Sequence, residues 1–254
     1  MNGVVTLAGV SKTFGTVKAV NGLSLTVRQG EIFGFLGTNG AGKTTTIKML
    51  LGFFRPDAGQ VSVWGQSPDD PAARRAIGFM PETAYYYPYL NVRELLAFYG
   101  GLCGMAKADI RRRSEELIAR VGLEEAGGRL LRHYSKGMLQ RAGIAQALLH
   151  DPDLLILDEP LTGLDPLARV QFRDLILDLR QQGKTIFFSS HDLSESELIC
   201  DRVAILKQGS LVWCGAVGEV AGDGQQNLER IFLKMLGDAP ARATAGEPDG
   251  EERP

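Results

Sequence analysis

Apolar positions recur along this chain with two periods, and the switches between them divide it. Strand texture comes first, at residues 4–10, 17–20, 23–27 and 31–36, with Gly-Thr, Asn-Gly and Gln-Gly turns between the runs. A helix is predicted over residues 43–51, then strands at 60–64 and 77–80. From about residue 91 to 150 the spacing turns helical, with helices predicted at 91–102, 107–121 and 136–150. In the last of these Met138, Leu139, Ala142, Ala145, Leu148 and Leu149 recur at helical spacing. Ser135 is a good N-cap for it, and Pro152 stops it.

Alternation then returns. Residues 154–157 form a continuous apolar run, as a strand covered on both faces would. Residues 167–181 read as helix, 185–189 as strand and 192–200 as helix. Residues 203–206 and 211–214 read as a hairpin across Gln208-Gly209. Residues 228–236 form a last amphipathic helix, and 237–254 are predicted to be a disordered tail. Strands alternating with helices imply an α/β fold with a mostly parallel sheet core, and the helical stretch is a subdomain inserted into it.

Composition narrows the class. The chain has 254 residues, 44% of them apolar and 23% charged, as in an ordinary globular protein. Its net charge of −2 argues against a general grip on nucleic acid. No uncharged apolar run approaches the length of a bilayer crossing, and the first residues lack a signal-peptide layout. Cys103, Cys200 and Cys214 are scattered and form no metal or redox pattern, which fits a reducing, cytoplasmic setting.

The candidate chemistry sits at the ends of predicted strands. "GTNGAGKTT", from Gly37 through Asn39, Gly40, Ala41, Gly42, Lys43 and Thr44 to Thr45, matches the phosphate loop Gly-x-x-x-x-Gly-Lys-Thr between a strand and a helix. Glycines let the loop curl so that its amides face inward onto phosphate. The amides of Gly42, Lys43, Thr44 and Thr45 would meet the β-phosphate, Lys43 would bridge β and γ, and Thr44 would hold Mg²⁺. In "LLILDEP", Asp158 is placed to hold magnesium. Glu159, one residue on, is the candidate general base or water positioner. His191 follows the strand that ends in "FFSS", where strand tips meet ligands in a doubly wound sheet, and could touch a γ-phosphate oxygen. The helix after Ser135 begins with Lys136 and Gly137 and no acid, which makes a second anion site.

The order of these motifs, with Tyr134-Ser-Lys-Gly-Met, "LTGLD" (161–165) and His191, resembles the ATP-binding cassette (ABC) ATPases over about residues 4–236. The resemblance implies the P-loop NTPase fold of an ABC nucleotide-binding domain. Residues 1–236 would form a single domain, with an antiparallel β subdomain and a helical subdomain at about 85–150. It implies that two copies pair head to tail, so that Ser135 and the Gly137 amide of one chain cap the γ-phosphate of ATP held by the other. Leu164 and Asp165 match the D-loop that crosses such an interface. Phe14 matches the adenine-stacking aromatic. Glu82 stands where the family's Mg²⁺-contacting glutamine is usual, Lys136 replaces a usual glycine, and Thr38 replaces a common proline.

Single-cassette chains of this kind work with separate membrane subunits. Glu82, the Tyr-Ser-Lys-Gly-Met run and "LERIFLKML" look like the cassettes of second-type exporters. The resemblance thus implies ATP and Mg²⁺ as ligands, a second cassette copy and two integral membrane permease subunits as partners, and a place on the cytoplasmic face of the membrane. The tyrosine-rich "TAYYYPYL" (83–90) corresponds to the region that grips a cytoplasmic helix of the membrane subunit. The alternative is a non-transport cassette acting in mechanical signalling or metal-cluster assembly. Such a cassette would have a soluble or non-channel partner.

Overall fold

The computed structural model describes residues 3–83, 85–221, 228–230 and 232. Two long antiparallel strands, β1 (Gly3–Phe14) and β2 (Val17–Arg28), open the chain, and β3 (Ile32–Gly37) follows. After α1 (Lys43–Leu50), β4 (Ala58–Val63) returns to β1 and completes a three-stranded sheet in the order β2-β1-β4. A short α2 (Pro71–Arg75) and β5 (Ile77–Met80) lead to the helices α3 (Val92–Leu102), α4 (Lys107–Arg120) and α5 (Lys136–Leu148). The remainder alternates: β6 (Leu154–Asp158), α6 (Pro166–Gln181), β7 (Thr185–Ser190), α7 (Leu193–Ile199), β8 (Arg202–Lys207), β9 (Ser210–Ala216) and α8 (Val217–Ala221).

The main sheet has the strand order β5-β6-β7-β3-β8-β9. Its strands run parallel except for β9, the return arm of the β8–β9 hairpin. Side chains alternate between its faces, and both faces are covered. From β3, Ile32 and Leu36 join the cluster built with α3 to α7, whereas Phe33 and Phe35 join the cluster built with β1, β2 and α1. The same split places Leu155 and Leu157 of β6 on the first side and Leu154 and Ile156 on the second. Burial on both faces is why the central strands read as unbroken apolar runs.

The structure merges two predicted strand pieces. Residues 17–20 and 23–27 form one strand, β2, and residue 22 between them is a glycine with a positive φ of 60°. The register with β1 slips there, so the bulge reads in sequence as a break. Of the predicted last helix, residues 228–230 and 232 are described and helical, and the tail at 237–254 lies outside the described residues.

Candidate functional site

The strand order β6-β7-β3 sets three loops distant in sequence side by side. Parallel pairing aligns Asp158 with Ser189 and Leu36 with Ser190, so the chain emerging from each strand end meets the others at one edge. The first of these loops is residues 37–45. Gly42 has φ 100° and serves as the N-cap of α1, and a Cβ there would strike the carbonyl of Ala19. A Cβ on Gly37 would lie 2.7 Å from the carbonyl of Leu206. These glycines are therefore required by backbone approach as well as by loop curvature. Gly40 also has a positive φ, 79°, and the Ala41 amide closes the turn onto the Thr38 carbonyl at 3.1 Å. Thr38, Asn39 and Gly40 are exposed, Ala41 is buried, and α1 has no acid in its first turn to compete for an anion.

Lys43 is 94% buried, and its ammonium is held from two directions. It donates to the carbonyls of Gly37 (2.7 Å) and Thr38 (3.3 Å), and it pairs with Glu159 Oε1 at 3.2 Å. The other carboxylate oxygen of Glu159 accepts from His191 Nδ1 at 2.8 Å. A carboxylate only accepts, so Nδ1 carries the proton of this bond and Nε2 is turned away from it. Glu159 adopts φ 49°, an uncommon conformation for a residue with a side chain. Its amide is fixed by Ser189 Oγ at 2.9 Å.

Asp158 is buried at the tip of β6. It accepts from Ser189 Oγ at 2.6 Å and from Thr44 Oγ1 at 3.2 Å. Burial raises its pKa above the ordinary carboxyl range; the Ser189 and Thr44 hydroxyls oppose that rise, the Glu159 charge adds to it and Lys43 opposes it. The sign of the linkage follows. The neutral acid is favoured in the fold, so this group stabilises at low pH and the contribution is lost as pH rises past the ordinary carboxyl value. Asp158 lies beside the Thr44 hydroxyl at the strand tip. These two hard oxygen donors suit Mg²⁺, which keeps most of its own water.

Ser189 was not singled out by the sequence, yet it ties Asp158 to Glu159 by donating to one and accepting from the other. The legible signal was a pair of small hydroxyl residues ending an apolar strand. Glu82 is exposed just beyond β5 and forms no hydrogen bond or ion pair with another described residue. Phe14 is partly exposed at the end of β1, edge-on to Phe54 at 5.3 Å, with the Lys12 ammonium 5.6 Å from its ring centroid.

At the predicted second anion site, the helix start is capped as expected. Ser135 caps α5, its Oγ accepting from the Met138 amide at 3.2 Å, and the first turn holds no acid. The hydroxyl hydrogen of Ser135 is left for an outside acceptor. Ser135 and Lys136 are exposed, and Gly137 is half-buried. Leu164 is buried, and Asp165 caps α6 by accepting from the Ala168 amide at 2.9 Å.

Known proteins resemble this chain closely. The family described as ABC transporter matches residues 20–162. An uncharacterized ABC transporter ATP-binding protein of Nostoc sp. is 47% identical over 92% of this chain and 71% of its own length. The bacitracin transport ATP-binding protein of Bacillus licheniformis is 42% identical over 92% of this chain and 75% of its own. Among solved structures, the ATP binding subunit of an ABC transporter superposes with a TM-score of 0.83 at 29% identity, covering 92% of this chain and 99% of that one. A dimeric cassette in a post-hydrolysis state with ADP and Pi bound superposes with a TM-score of 0.77 at 25% identity, covering 84% and 98%. The chain belongs to the ABC transporter family, and it is an ATPase.

Proposed function

We propose that this chain is the ATP-hydrolysing subunit of an exporter, closing as a head-to-tail homodimer around two Mg-ATP and driving separate membrane subunits. The observation that carries the dimer is the placement of α5. Its acid-free, Ser-capped start is solvent-exposed, whereas the phosphate loop already has its own lysine and amides. A second set of phosphate donors facing outward serves a nucleotide held by another chain. The functions for which relatives are named support export: bacitracin transport in one and fluoroquinolone export in a relative from Mycobacterium tuberculosis, 42% identical over 89% of this chain and 74% of its own. No helix among the described residues is long and apolar enough to cross a membrane.

In the closed dimer the roles divide as follows. Amides of residues 42–45 and the Lys43 ammonium hold the β- and γ-phosphates, and Phe14 stacks on the adenine. Thr44 and Asp158, with Glu82 at the neighbouring loop, would hold Mg²⁺, which supplies charge neutralisation of the phosphates when bound. Lys43 must leave Glu159 to reach phosphate, and the freed carboxylate orients the attacking water and accepts its proton. His191, already bonded to Glu159 through Nδ1, presents Nε2 toward the γ-phosphate. Ser135 and Gly137 of the second copy donate to the same phosphate from the opposite side. Loss of the γ-phosphate removes what both faces hold, and the clamp opens.

The test is a pull-down from detergent-solubilised native membranes. The bait is tagged Glu159→Gln full-length chain, held closed by Mg-ATP. An integral membrane protein recovered in equal amount is the expected result. Recovery of soluble proteins alone would move the chain to the non-transport cassettes.

A further inference from the structure

The structure assigns Gln140 as a positioning residue for the Glu159 of its own chain, through a hydrogen bond to the loop between β6 and α6. This rests on the reading of Glu159 as the general base of a head-to-tail clamp. Gln140 lies one turn into α5 and is 6% exposed. Its Nε2 donates to the carbonyl of Thr162 at 2.7 Å across 22 residues of sequence. Its Oε1 is buried and has no partner. An apolar side chain of the same length would fill the space without that orphaned acceptor, so the polar end is explained by what its other half does. The orientation of the amide is set by the bond itself, because the reversed amide would face a carbonyl with an oxygen.

Thr162 is in turn a support of Glu159. Its amide donates to the Glu159 carbonyl at 3.2 Å, and its hydroxyl lies 3.5 Å from Glu159 Oε2. Glu159 needs such support, because its positive φ is a conformation that the surrounding bonds must enforce. Ser189 holds the residue from the β7 side and Thr162 from the loop side. The start of α5 and this loop also touch at their tips. A Cβ on Gly163 would fall 2.7 Å from the Lys136 Cδ, and one on Gly137 would fall 3.4 Å from a Leu164 methyl. One helix start and one loop therefore behave as a single packed body, and Gln140 supplies a buried directional bond within it.

The consequence concerns two nucleotides. In the clamp, the start of α5 meets the ATP of the other copy, while Glu159 acts on the ATP of its own copy. Gln140 links these within one chain, so that seating α5 on one phosphate sets the loop that fixes the acid for the other. It touches neither substrate nor water and acts only through Thr162.

Gln140→Met removes the donor and keeps the volume, and Gln140→Leu is a second variant of the same kind. The expected result is a loss of about tenfold or more in kcat, as for a misplaced catalytic group, with the KM for ATP and the affinity for ADP within about twofold of the parent. Placed in the Glu159→Gln background, the same variants should still trap an ATP-dependent dimer on gel filtration, because the phosphate donors of α5 are untouched. A fall in kcat smaller than about fivefold in both variants would overturn the assignment. So would a loss of the trapped dimer together with kcat, since Gln140 would then serve α5 itself. If Glu159→Gln alone fails to trap a dimer or hydrolyses normally, the clamp reading fails independently of Gln140.

Discussion

Glu159 holds two partners, Lys43 and His191, and in the proposed mechanism nucleotide must displace the first. Its pairing with Lys43 lies almost entirely out of water, at 3.2 Å with both side chains under a tenth exposed. Such a pair is costly to form and costlier to break by removing one member's partner without replacement. Phosphate supplies the replacement, since it offers Lys43 a stronger acceptor than the carboxylate. Binding therefore works against the Lys43–Glu159 attraction, and a neutral side chain at 159 should relieve that opposition. ADP separates this effect from dimer trapping, because it lacks the γ-phosphate that the second chain would hold. We expect Glu159→Gln to bind ADP more tightly than the parent, by about three- to tenfold, or about 0.7–1.4 kcal/mol. Isothermal titration of the monomer measures it. An unchanged or weaker affinity would show that Lys43 reaches phosphate without giving up Glu159.

At the scale of elements, two helices with the same kind of cap behave differently. Asn91 caps α3 in a full capping box: its side chain accepts from the Glu94 amide at 3.0 Å and Glu94 returns a bond to the Asn91 amide at 2.8 Å. Ser135 caps α5 alone, because Met138 stands where the returning acid would be. The first helix is satisfied internally, and the second leaves donors for a ligand. This contrast was readable in the sequence, as were the phosphate loop and the two acids ending β6, because each depends on residue type at fixed local spacing. What was not readable depends on tertiary register. Ser189 matters through the sheet order, and only its place in a hydroxyl pair at a strand end hints at it; Thr162 and Gln140 meet through the tertiary packing of a loop on a helix, and nothing in their local spacing marks them. The short α2 was missed although Asp70 caps it and Pro71 begins it, because five residues are too few to show a period. The cap contrast yields a charge test. Met138→Gln and Met138→Glu offer nearly the same shape, and both can close a capping box, but the second adds a negative charge at the proposed anion site. The Gln variant should keep ATPase within about threefold, and the Glu variant should lose it by about tenfold or more while the monomer still binds ADP. Equal activity in the two would mean that the start of α5 meets no phosphate.

At the scale of the molecule, a cleft of about 1040 Å³ lies beside the helical insert. Arg74, Arg75, Phe79, Tyr85, Tyr86, Tyr99, Leu102 and Met105 are among the residues that line it. Tyr85 is 93% exposed and Leu102 69%, a large apolar investment in contact with solvent. Aromatic side chains continue beyond it, with Tyr87, Tyr89, Phe98 and Tyr99 in a chain of ring contacts 5.4–5.9 Å apart. The Tyr86 hydroxyl is buried with no partner, and burial raises its pKa well above that of a free phenol, so it remains a donor. An amphipathic helix of a membrane subunit fits the accessible part of these features: apolar side chains for the exposed tyrosine and leucine surface and acceptors for the arginines. Ile77 and Phe79 of β5 and Pro81 just after it line the cleft, and β5 belongs to the sheet that carries the candidate nucleotide site. Tyr85→Asp combined with Leu102→Asp places two charges on the wall and leaves every residue of the nucleotide site intact. The variant should hydrolyse ATP at the parent rate as an isolated chain and, in the Glu159→Gln bait, lose the membrane partner from the pull-down by about tenfold or more, the loss of a hot-spot contact. Full recovery of the partner with both charges present would place the permease contact elsewhere on the molecule.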